Sequence, residues 1–173
     1  MTTRAAESGY AGSELHALLS ELYPICRSLT GEGVRETLRA ISKHVPLQVH
    51  SVASGTQAFD WTVPLEWNIR DAYVKDDTGA RVVDFRDSNL HVMGYSEPVH
   101  EHLDLAALRS RIYSLPEQPA VVPFRTSYFK RDWGFSMAHE KLLALKEGRY
   151  EVRIDSTLEP GELNYGEYVI PGE

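Results

Sequence analysis

The spacing of apolar residues separates a helical first part of this sequence from a strand-rich remainder. Two stripes recur with the i, i+3, i+4, i+7 spacing of one helix face. The first is Leu15, Leu18, Leu19 and Leu22, and the second is Val34, Leu38, Ile41 and Val45. Ser13 and Thr30 are the predicted N-caps, while Pro24 and Pro46 end the two helices. Amphipathic helices cover other structure, and no strand is predicted in the first 45 residues, so their partner lies elsewhere in the fold.

From Leu47 onward apolar and polar residues alternate, which is typical of β-strands. Strands are predicted at residues 47–52, 67–73, 81–85, 90–95, 121–124, 150–158 and 163–170, with a turn at Asp76–Gly79. The last two strands flank Pro160-Gly161 and predict an antiparallel hairpin. Asp104 and Ser136 are the predicted caps of two short helices. The sequence therefore predicts a mixed α+β fold, preceded by a disordered segment at residues 1–12.

Composition places the chain among globular proteins and argues against several classes of function. Apolar residues make up 42% of the 173 residues, enough for a core without disulfides. Cys26 is the single cysteine, which excludes an intramolecular disulfide. The formal net charge of −7, with no basic stripe, argues against nucleic acid and acidic membrane surfaces as partners. Neither a membrane span nor a signal peptide is predicted, and the expected location is the cytoplasm.

Few residues form a pattern that indicates chemistry. His100 and His102 are two apart, so on a strand both imidazoles would point the same way and could bind one metal ion. No third ligand lies at motif spacing, and the plainer interpretation is two polar residues ahead of the helix cap at Asp104. Cys26 beside Arg27 could be an activated nucleophile, but its apolar neighbours favour an inert core thiol.

Three further features admit both a binding and a structural interpretation. Thr30-Gly31-Glu32-Gly33 could form an anion-binding turn at a helix start, although a phosphate loop would need a following Gly-Lys and a cap is simpler. Trp61, Trp67 and Trp133 could line a ligand cleft or fill the core. The carboxylates of residues 60–77 could include an acid–base pair or lie on solvated strands and turns.

Several separated segments together resemble one known family. They fall within residues 22–38, 63–73, 84–99, 125–135 and 154–167, and include Tyr23-Pro24-Ile25-Cys26-Arg27, Pro64-Leu65-Glu66-Trp67-Asn68, Arg125-Thr126-Ser127-Tyr128-Phe129 and Leu163-Asn164-Tyr165-Gly166-Glu167. In this order they are similar to the N-terminal part of the bacterial aminopeptidase-like family. Members of that family resemble two-zinc exopeptidases that carry an inserted β-rich domain of unknown function. The resemblance covers residues 13–171.

The resemblance implies a domain organisation for the chain. Residues 13–49 and 148–173 would form part of an exopeptidase-like scaffold, and residues 50–147 would be the inserted β-rich domain with its two short helices. The sequence stops directly after the last predicted strand, which is typical of a domain cut from a longer protein. Since the family's zinc ligands begin beyond that point, none of the seven histidines matches one. No cofactor is expected in this chain, and zinc is implied for the full-length family.

The implied activity is zinc-dependent hydrolysis of an N-terminal peptide or amide bond by the longer protein. This chain would supply scaffold and substrate-access surface, with no catalytic residue of its own. Arg27, Glu32, Tyr128 and Trp133 are the residues expected nearest the cleft, and Arg27 could hold a substrate carboxylate. The expected partner is the remainder of an exopeptidase domain or a second copy of this chain.

Two other hypotheses make different predictions. A stand-alone binding module would recognise a peptide, glycan or subunit through its β-rich middle, and would be monodisperse. The fragment hypothesis predicts exposed apolar surface on the two N-terminal helices instead. A complete metalloenzyme built on His100 and His102 would retain zinc after purification.

Overall fold

The computed structural model describes residues 4–172, with side chains from residue 12 onward. Its helices are α1 (Arg4–Leu22), α2 (Glu32–Ile41), α3 (Leu105–Arg109) and α4 (His139–Leu143), with a 3-10 helix at Asn89–His91. Its strands are β1 (Gln48–Ala53), β2 (Gln57–Ala58), β3 (Trp61–Thr62), β4 (Glu66–Lys75), β5 (Arg81–Asp84), β6 (Val99–Asp104), β7 (Ile112–Tyr113), β8 (Phe135–Ser136), β9 (Arg149–Glu159) and β10 (Glu162–Glu167). The predicted mixture of helices and strands is confirmed. None of the helices among these residues has the length and apolar character of a membrane span.

The two N-terminal helices are present, but they begin differently from the prediction. α1 already includes Arg4, the first described residue, because alanines and a glutamate continue the helical sequence upstream of Ser13. Residues 1–3 of the segment predicted to be disordered lie outside the described residues, whereas residues 4–12 belong to α1. Gly31 rather than Thr30 occupies the N-cap of α2, since the Thr30 side chain is buried and hydrogen-bonded elsewhere.

A four-stranded antiparallel sheet in the order β5–β4–β9–β6 carries the core. Successive side chains of a strand point to opposite faces, and the inward-facing Ala72, Val74 and Val152 are fully buried. α3 and the short parallel pair β7–β8 supply further core residues. The core includes Val83, Leu105, Leu108, Ile112, Phe135, Met137, Tyr150 and Ile154.

The predicted C-terminal hairpin is wrong, because β9 and β10 pair with different strands. β9 lies between β4 and β6, whereas β10 pairs antiparallel with β1. The chain turns at Pro160-Gly161, where the Gly161 N–H donates to the Ser54 hydroxyl oxygen at 3.1 Å. Alternation along one segment predicts a strand but contains no information about its partner. The boundary predicted at residue 148 consequently falls just before a strand that pairs with the β-rich middle.

β1 and β10 form a separate two-stranded ribbon that packs on α2. His50 stacks on Tyr165 across the pair, with ring centroids 5.0 Å apart. Gly166 lies against α2, where an added Cβ would come within 3.0 Å of the Leu38 side chain. Within the described residues neither strand pairs with a third one, so both outer edges of the ribbon are open.

Two predicted strands in the middle of the chain are replaced by other structure. Residues 90–95 form part of the 3-10 helix and a loop, because the Ser88 hydroxyl accepts from the Leu90 N–H and caps a helical turn. Tyr95 then adopts a φ of 65°, which no regular strand contains. Residues 121–124 lie in a loop.

The short helices confirm one predicted cap and correct the other. The Asp104 carboxylate accepts from the Ala107 N–H at 2.8 Å and begins α3. Ser136 belongs to β8, where it lies opposite Tyr113. α4 therefore begins only at His139.

The backbone at Gly31 predicts a large effect of adding a side chain. Its φ of 94° is one that L-residues avoid, and a Cβ there would overlap the carbonyl oxygen of Trp67. We expect Gly31→Ala to lower the free energy of unfolding, measured by urea denaturation, by roughly 2–4 kcal/mol. Gly55→Ala is the control, because Gly55 has a φ of 87° with open space around it, and should cost about 1 kcal/mol. Equal losses would contradict the close contact of the Gly31 turn with β4.

Candidate functional site

The loop between α1 and α2 lies against the 3-10 helix and borders a cleft of about 330 Å³. This Arg27 cleft is lined by Tyr23, Ile25, Cys26, Arg27, Trp67, Asn89, Leu90, Val92, Gly94 and Phe124. Arg27 Nη1 donates to the Leu22 carbonyl oxygen at 2.7 Å, and Asn89 Nδ2 donates to that of Tyr23 at 2.9 Å. Both bonds anchor the C-terminal end of α1. A mostly apolar cleft with one guanidinium suits an apolar group that carries a negative charge.

Cys26 lines the Arg27 cleft, but its thiol is not activated. Burial raises the pKa of Cys26 to about 11, against a smaller lowering effect of the Arg27 charge. A thiol that stays protonated at neutral pH is a weak nucleophile. This environment agrees with the inert role that the sequence favoured.

A hydrogen-bonded junction at Thr30 joins the α1–α2 loop to β4. Thr30 Oγ1 accepts from the Trp67 N–H at 3.0 Å and lies 2.6 Å from the Tyr95 hydroxyl. The Trp67 indole N–H donates to the Ser96 carbonyl oxygen at 3.0 Å, and its ring stacks on Tyr95 with centroids 5.9 Å apart. Because all four residues are buried, these bonds are shielded from water and hold the Trp67 wall of the cleft in place.

Glu32 lies on an ion-pair network at the start of α2 and not in the Arg27 cleft. Its carboxylate accepts from Arg39 at 2.5 Å and from Arg35 at 2.8 Å, and these bonds lower the pKa of Glu32. Arg35 also donates to Glu66 of β4 at 2.7 and 3.1 Å, and to Asn164 of β10 at 3.3 Å. The hydrogen bonds from Arg35 are the main reason that the pKa of Glu66 falls to about 2, although burial opposes them.

Tyr128 lies on a second surface, beside a wide cleft of about 530 Å³. This aromatic cleft is lined by Leu29, Asp60, Trp61, Tyr128 and Phe129. Tyr128 and Phe129 also border a smaller neighbouring cleft of about 180 Å³. The aromatic cleft therefore opens between the β2–β3 turn and the loop that contains Tyr128.

Trp133 lies in the core rather than in a cleft. It is 8% exposed and packs edge-on against Phe135, with centroids 6.5 Å apart, beneath the Arg111 guanidinium. The four predicted cleft residues therefore do not converge on one site. Arg27 and Tyr128 line separate clefts, and the other two lie outside both.

His100 and His102 lie on one face of the edge strand β6, with ring centroids 6.3 Å apart. His100 Nε2 is 3.2 Å from the Glu151 carboxylate. The Tyr73 hydroxyl, more than His100, lowers the pKa of Glu151 to about 2. Zinc needs three or four protein ligands, and the part of the chain that the structure describes has no group of three His, Cys, Asp or Glu side chains placed to hold a metal ion. These residues do not fit zinc.

Sequence reasoning missed several cleft residues because exposure is not visible in a sequence. Phe124 and Phe129 are 69% and 78% exposed, and exposed aromatic side chains are typical of contact surfaces. Asn89 acts through a hydrogen bond to a distant carbonyl. Trp61, one of the tryptophans that could line a ligand cleft, and the adjacent rings of Tyr128 and Phe129 are the local signals for the aromatic cleft.

The Arg35–Glu66 pair predicts how stability depends on acid. The pKa of Glu66 falls from an ordinary 4.5 to about 2 on folding. Its stabilising contribution is therefore complete above about pH 5 and is lost as the pH falls toward 2. We expect Glu66→Gln to lower the free energy of unfolding at pH 6 and to have a much smaller effect at pH 2.5, measured by urea denaturation.

Glu32→Gln is the matched control, because it removes a more exposed partner of the same arginine, Arg35. We expect this variant to retain most of the wild-type loss of stability between pH 6 and pH 2.5. If Glu66→Gln loses as much stability between pH 6 and pH 2.5 as the wild type does, the acid sensitivity does not come from the Arg35–Glu66 pair.

Comparison with known proteins identifies relatives of this chain. A Clostridium acetobutylicum protein named "Putative polysaccharide biosynthesis protein with aminopeptidase-like domain" is 52% identical over 166 residues, which are 96% of this chain and 38% of that protein. A crystal structure described as a "putative peptidase" from Clostridium acetobutylicum matches with a TM-score of 0.91 and 51% identity, covering 94% of this chain and 39% of that one. This chain thus spans less than half the length of these relatives.

The central sheet is the part of the chain that carries a family assignment. Residues 66–157, just over half of the chain, match the family described as "Domain of unknown function (DUF2172)". The match begins at the first residue of β4 and ends within β9, the two central strands of the sheet. The chain therefore belongs to the DUF2172 family.

Proposed function

We propose that this chain is the N-terminal portion of a zinc-dependent aminopeptidase-like protein, in which it provides scaffold and a substrate-access surface. One relative is named as a protein with an aminopeptidase-like domain, and the matching crystal structure is described as a putative peptidase. The observation that carries the proposal is an incomplete surface formed by α1 and the β1–β10 ribbon.

α1 presents its apolar stripe to solvent. Of the four leucines in this stripe, Leu15 and Leu19 are 62% and 66% exposed, Leu18 is half-buried, and Leu22 at the end of the helix is buried. Tyr23, which is 66% exposed, continues the apolar surface beyond the helix. Because a helix in water gains most of its stability from packing its apolar face, this stripe calls for a covering partner.

The β1–β10 ribbon is incomplete in a second way. A two-stranded ribbon is at best marginally stable in water, and open edges readily pair with further strands. Val49 and Tyr165 are 53% and 47% exposed on its surface. The sheet of an exopeptidase-like domain would extend the ribbon and cover α1, which accounts for both features together.

The metal chemistry belongs, in this proposal, to residues outside the chain. Bound zinc would supply an activated water for hydrolysis of an N-terminal peptide or amide bond. This chain's own contribution is positional. Arg27 is its best-placed residue, because the guanidinium lines an apolar cleft and could hold a substrate carboxylate.

The α1 stripe predicts that the isolated chain associates with itself. We expect sedimentation velocity to show concentration-dependent association, and Leu19→Glu to weaken it roughly tenfold, the effect of losing one leucine from an interface. Leu143→Glu on α4 is the matched control, because Leu143 is also 66% exposed, and it should leave association unchanged. A monomer at every concentration, or equal effects of the two variants, would contradict the role given to α1.

Supplying the remaining polypeptide tests the proposed function directly. The tagged chain would be co-expressed with the part of the Clostridium acetobutylicum relative that lies outside the matched region. We expect the two to co-purify, to retain zinc and to release amino acids from amino-acid anilides. Failure to co-purify would contradict the scaffold role, and a complex without zinc would contradict the chemistry.

Arg27→Ala in the same complex tests the role of the guanidinium. Loss of the carboxylate partner should raise KM by about tenfold and leave the zinc content unchanged. Arg27→Lys, which retains the charge, should recover part of the loss. Unchanged kinetics in Arg27→Ala would remove this residue from the substrate site.

A stand-alone binding module is the second candidate, and the aromatic cleft favours it. The core of the central sheet is closed without α1, since its residues come from the strands, α3, the β7–β8 pair and the loop residues Val92, Trp133 and Met137. A monodisperse chain that does not bind the rest of the relative would select this candidate.

A further inference from the structure

We propose that the aromatic cleft is a binding site for an alkylammonium cation. Three aromatic rings and one carboxylate line the same opening, from Trp61, Tyr128, Phe129 and Asp60. A cation is attracted to the negative face of an aromatic ring, and an alkylated nitrogen adds apolar contact. This proposal does not depend on the peptidase proposal, because neither α1 nor the Arg27 cleft takes part.

The β2–β3 turn presents one side of the cleft. Trp61 lies opposite Ala58 in the strand pair, and Asp60 lies in the turn between them. The Gln57 side chain donates to the Phe59 carbonyl oxygen at 2.8 Å and accepts from the Thr62 hydroxyl at 2.9 Å. These bonds brace the turn that carries the indole and the carboxylate.

The loop that contains Tyr128 and Phe129 presents the other side. Their rings pack with centroids 4.0 Å apart at an angle of 40°. Tyr128 also contacts the buried Tyr95 ring edge-on at 6.2 Å, and the Ser127 N–H donates to the Gly94 carbonyl oxygen at 2.9 Å. The two rings are therefore positioned by the protein before any ligand binds.

Asp60 makes the cleft selective for positive charge. Within residues 12–172 its carboxylate has no hydrogen-bond or ion-pair partner, so its charge is available to a ligand. The two cations that follow Phe129 each have an acidic partner, since Lys130 pairs with Asp132 at 2.8 Å and Arg131 with Glu97 at 3.8 Å. The net charge of −7 further favours a cation over an anion.

The exposed rings distinguish this site from packing. Phe129 is 78% exposed and Trp61 is half-buried. A ligand that covers the two rings therefore removes apolar surface from water, which favours binding. A neutral sugar could stack on the same rings, but it would make no use of the unpaired carboxylate charge. A cation uses both the ring faces and the charge, which is why we favour it.

The test compares choline with its neutral isostere 3,3-dimethylbutan-1-ol, which has the same shape without the charge. Binding to the 173-residue chain would be followed by NMR on the indole N–H of Trp61, assigned by its loss in Trp61→Phe. We expect choline to bind about fivefold more tightly than the alcohol, the ratio typical of a partly exposed cation–π site. n-Butylammonium is the second probe, and it shows whether the cleft prefers a primary ammonium, such as that of a lysine side chain, or a quaternary one. Binding of either cation supports the proposal.

Variants assign the preference to the cleft. Phe129→Leu and Asp60→Asn change exposed side chains, so both should fold, and each should bring the choline-to-alcohol ratio toward one. Phe124→Leu, which replaces an exposed phenylalanine of the Arg27 cleft, should leave the ratio unchanged. Equal binding of choline and the alcohol, shifts at Trp67 instead of Trp61, or a response to cellotetraose but not to choline would overturn the proposal.

Discussion

The Arg35–Glu66 pair joins α2 to the central sheet, and the position of the α1–α2 loop beside both clefts depends on it. Arg35 projects from α2 and holds the first residue of β4 through two N–H groups, while a third bond reaches Asn164 of β10. One guanidinium thus joins a helix, the sheet and the ribbon. A bidentate, half-buried pair of this kind imposes a geometry that single surface ion pairs do not. The buried hydrogen bond between Thr30 and Tyr95 lies close to this attachment and stabilises the same junction.

Both clefts follow from this attachment. The loop between α1 and α2 contributes Arg27 to one cleft and Leu29 to the other, so its position sets the shape of both. The same attachment accounts for the uncovered surface. α2 packs on the ribbon through Leu38 and Gly166, whereas α1 leaves Leu15 and Leu19 exposed. The chain therefore combines a closed core with one face that is built to be covered.

The features that could be predicted from the sequence are local ones. Asp104 caps α3 because its own backbone neighbours supply the N–H group, and the second apolar stripe places α2 correctly. Thr30 was predicted as a cap, but its hydroxyl bonds instead to β4 and Tyr95, residues far away in the sequence. The hairpin prediction for β9 and β10 fails for the same physical reason. β10 pairs with β1, because the whole fold and not the local sequence determines the partner of a strand. The aromatic cleft combines distant segments, so the sequence indicates single aromatic residues but not that they meet in one cleft.

Hydrogen exchange would test most directly the claim that α1 and the β1–β10 ribbon are a docking face. Amide exchange would be measured by mass spectrometry on the chain alone and together with the part of the Clostridium acetobutylicum relative outside the matched region. We predict slower exchange in α1 and in β1 and β10, and no change in β6, which also lies at a sheet edge. Unchanged exchange in α1 and the ribbon, or protection concentrated in β6, would contradict the account.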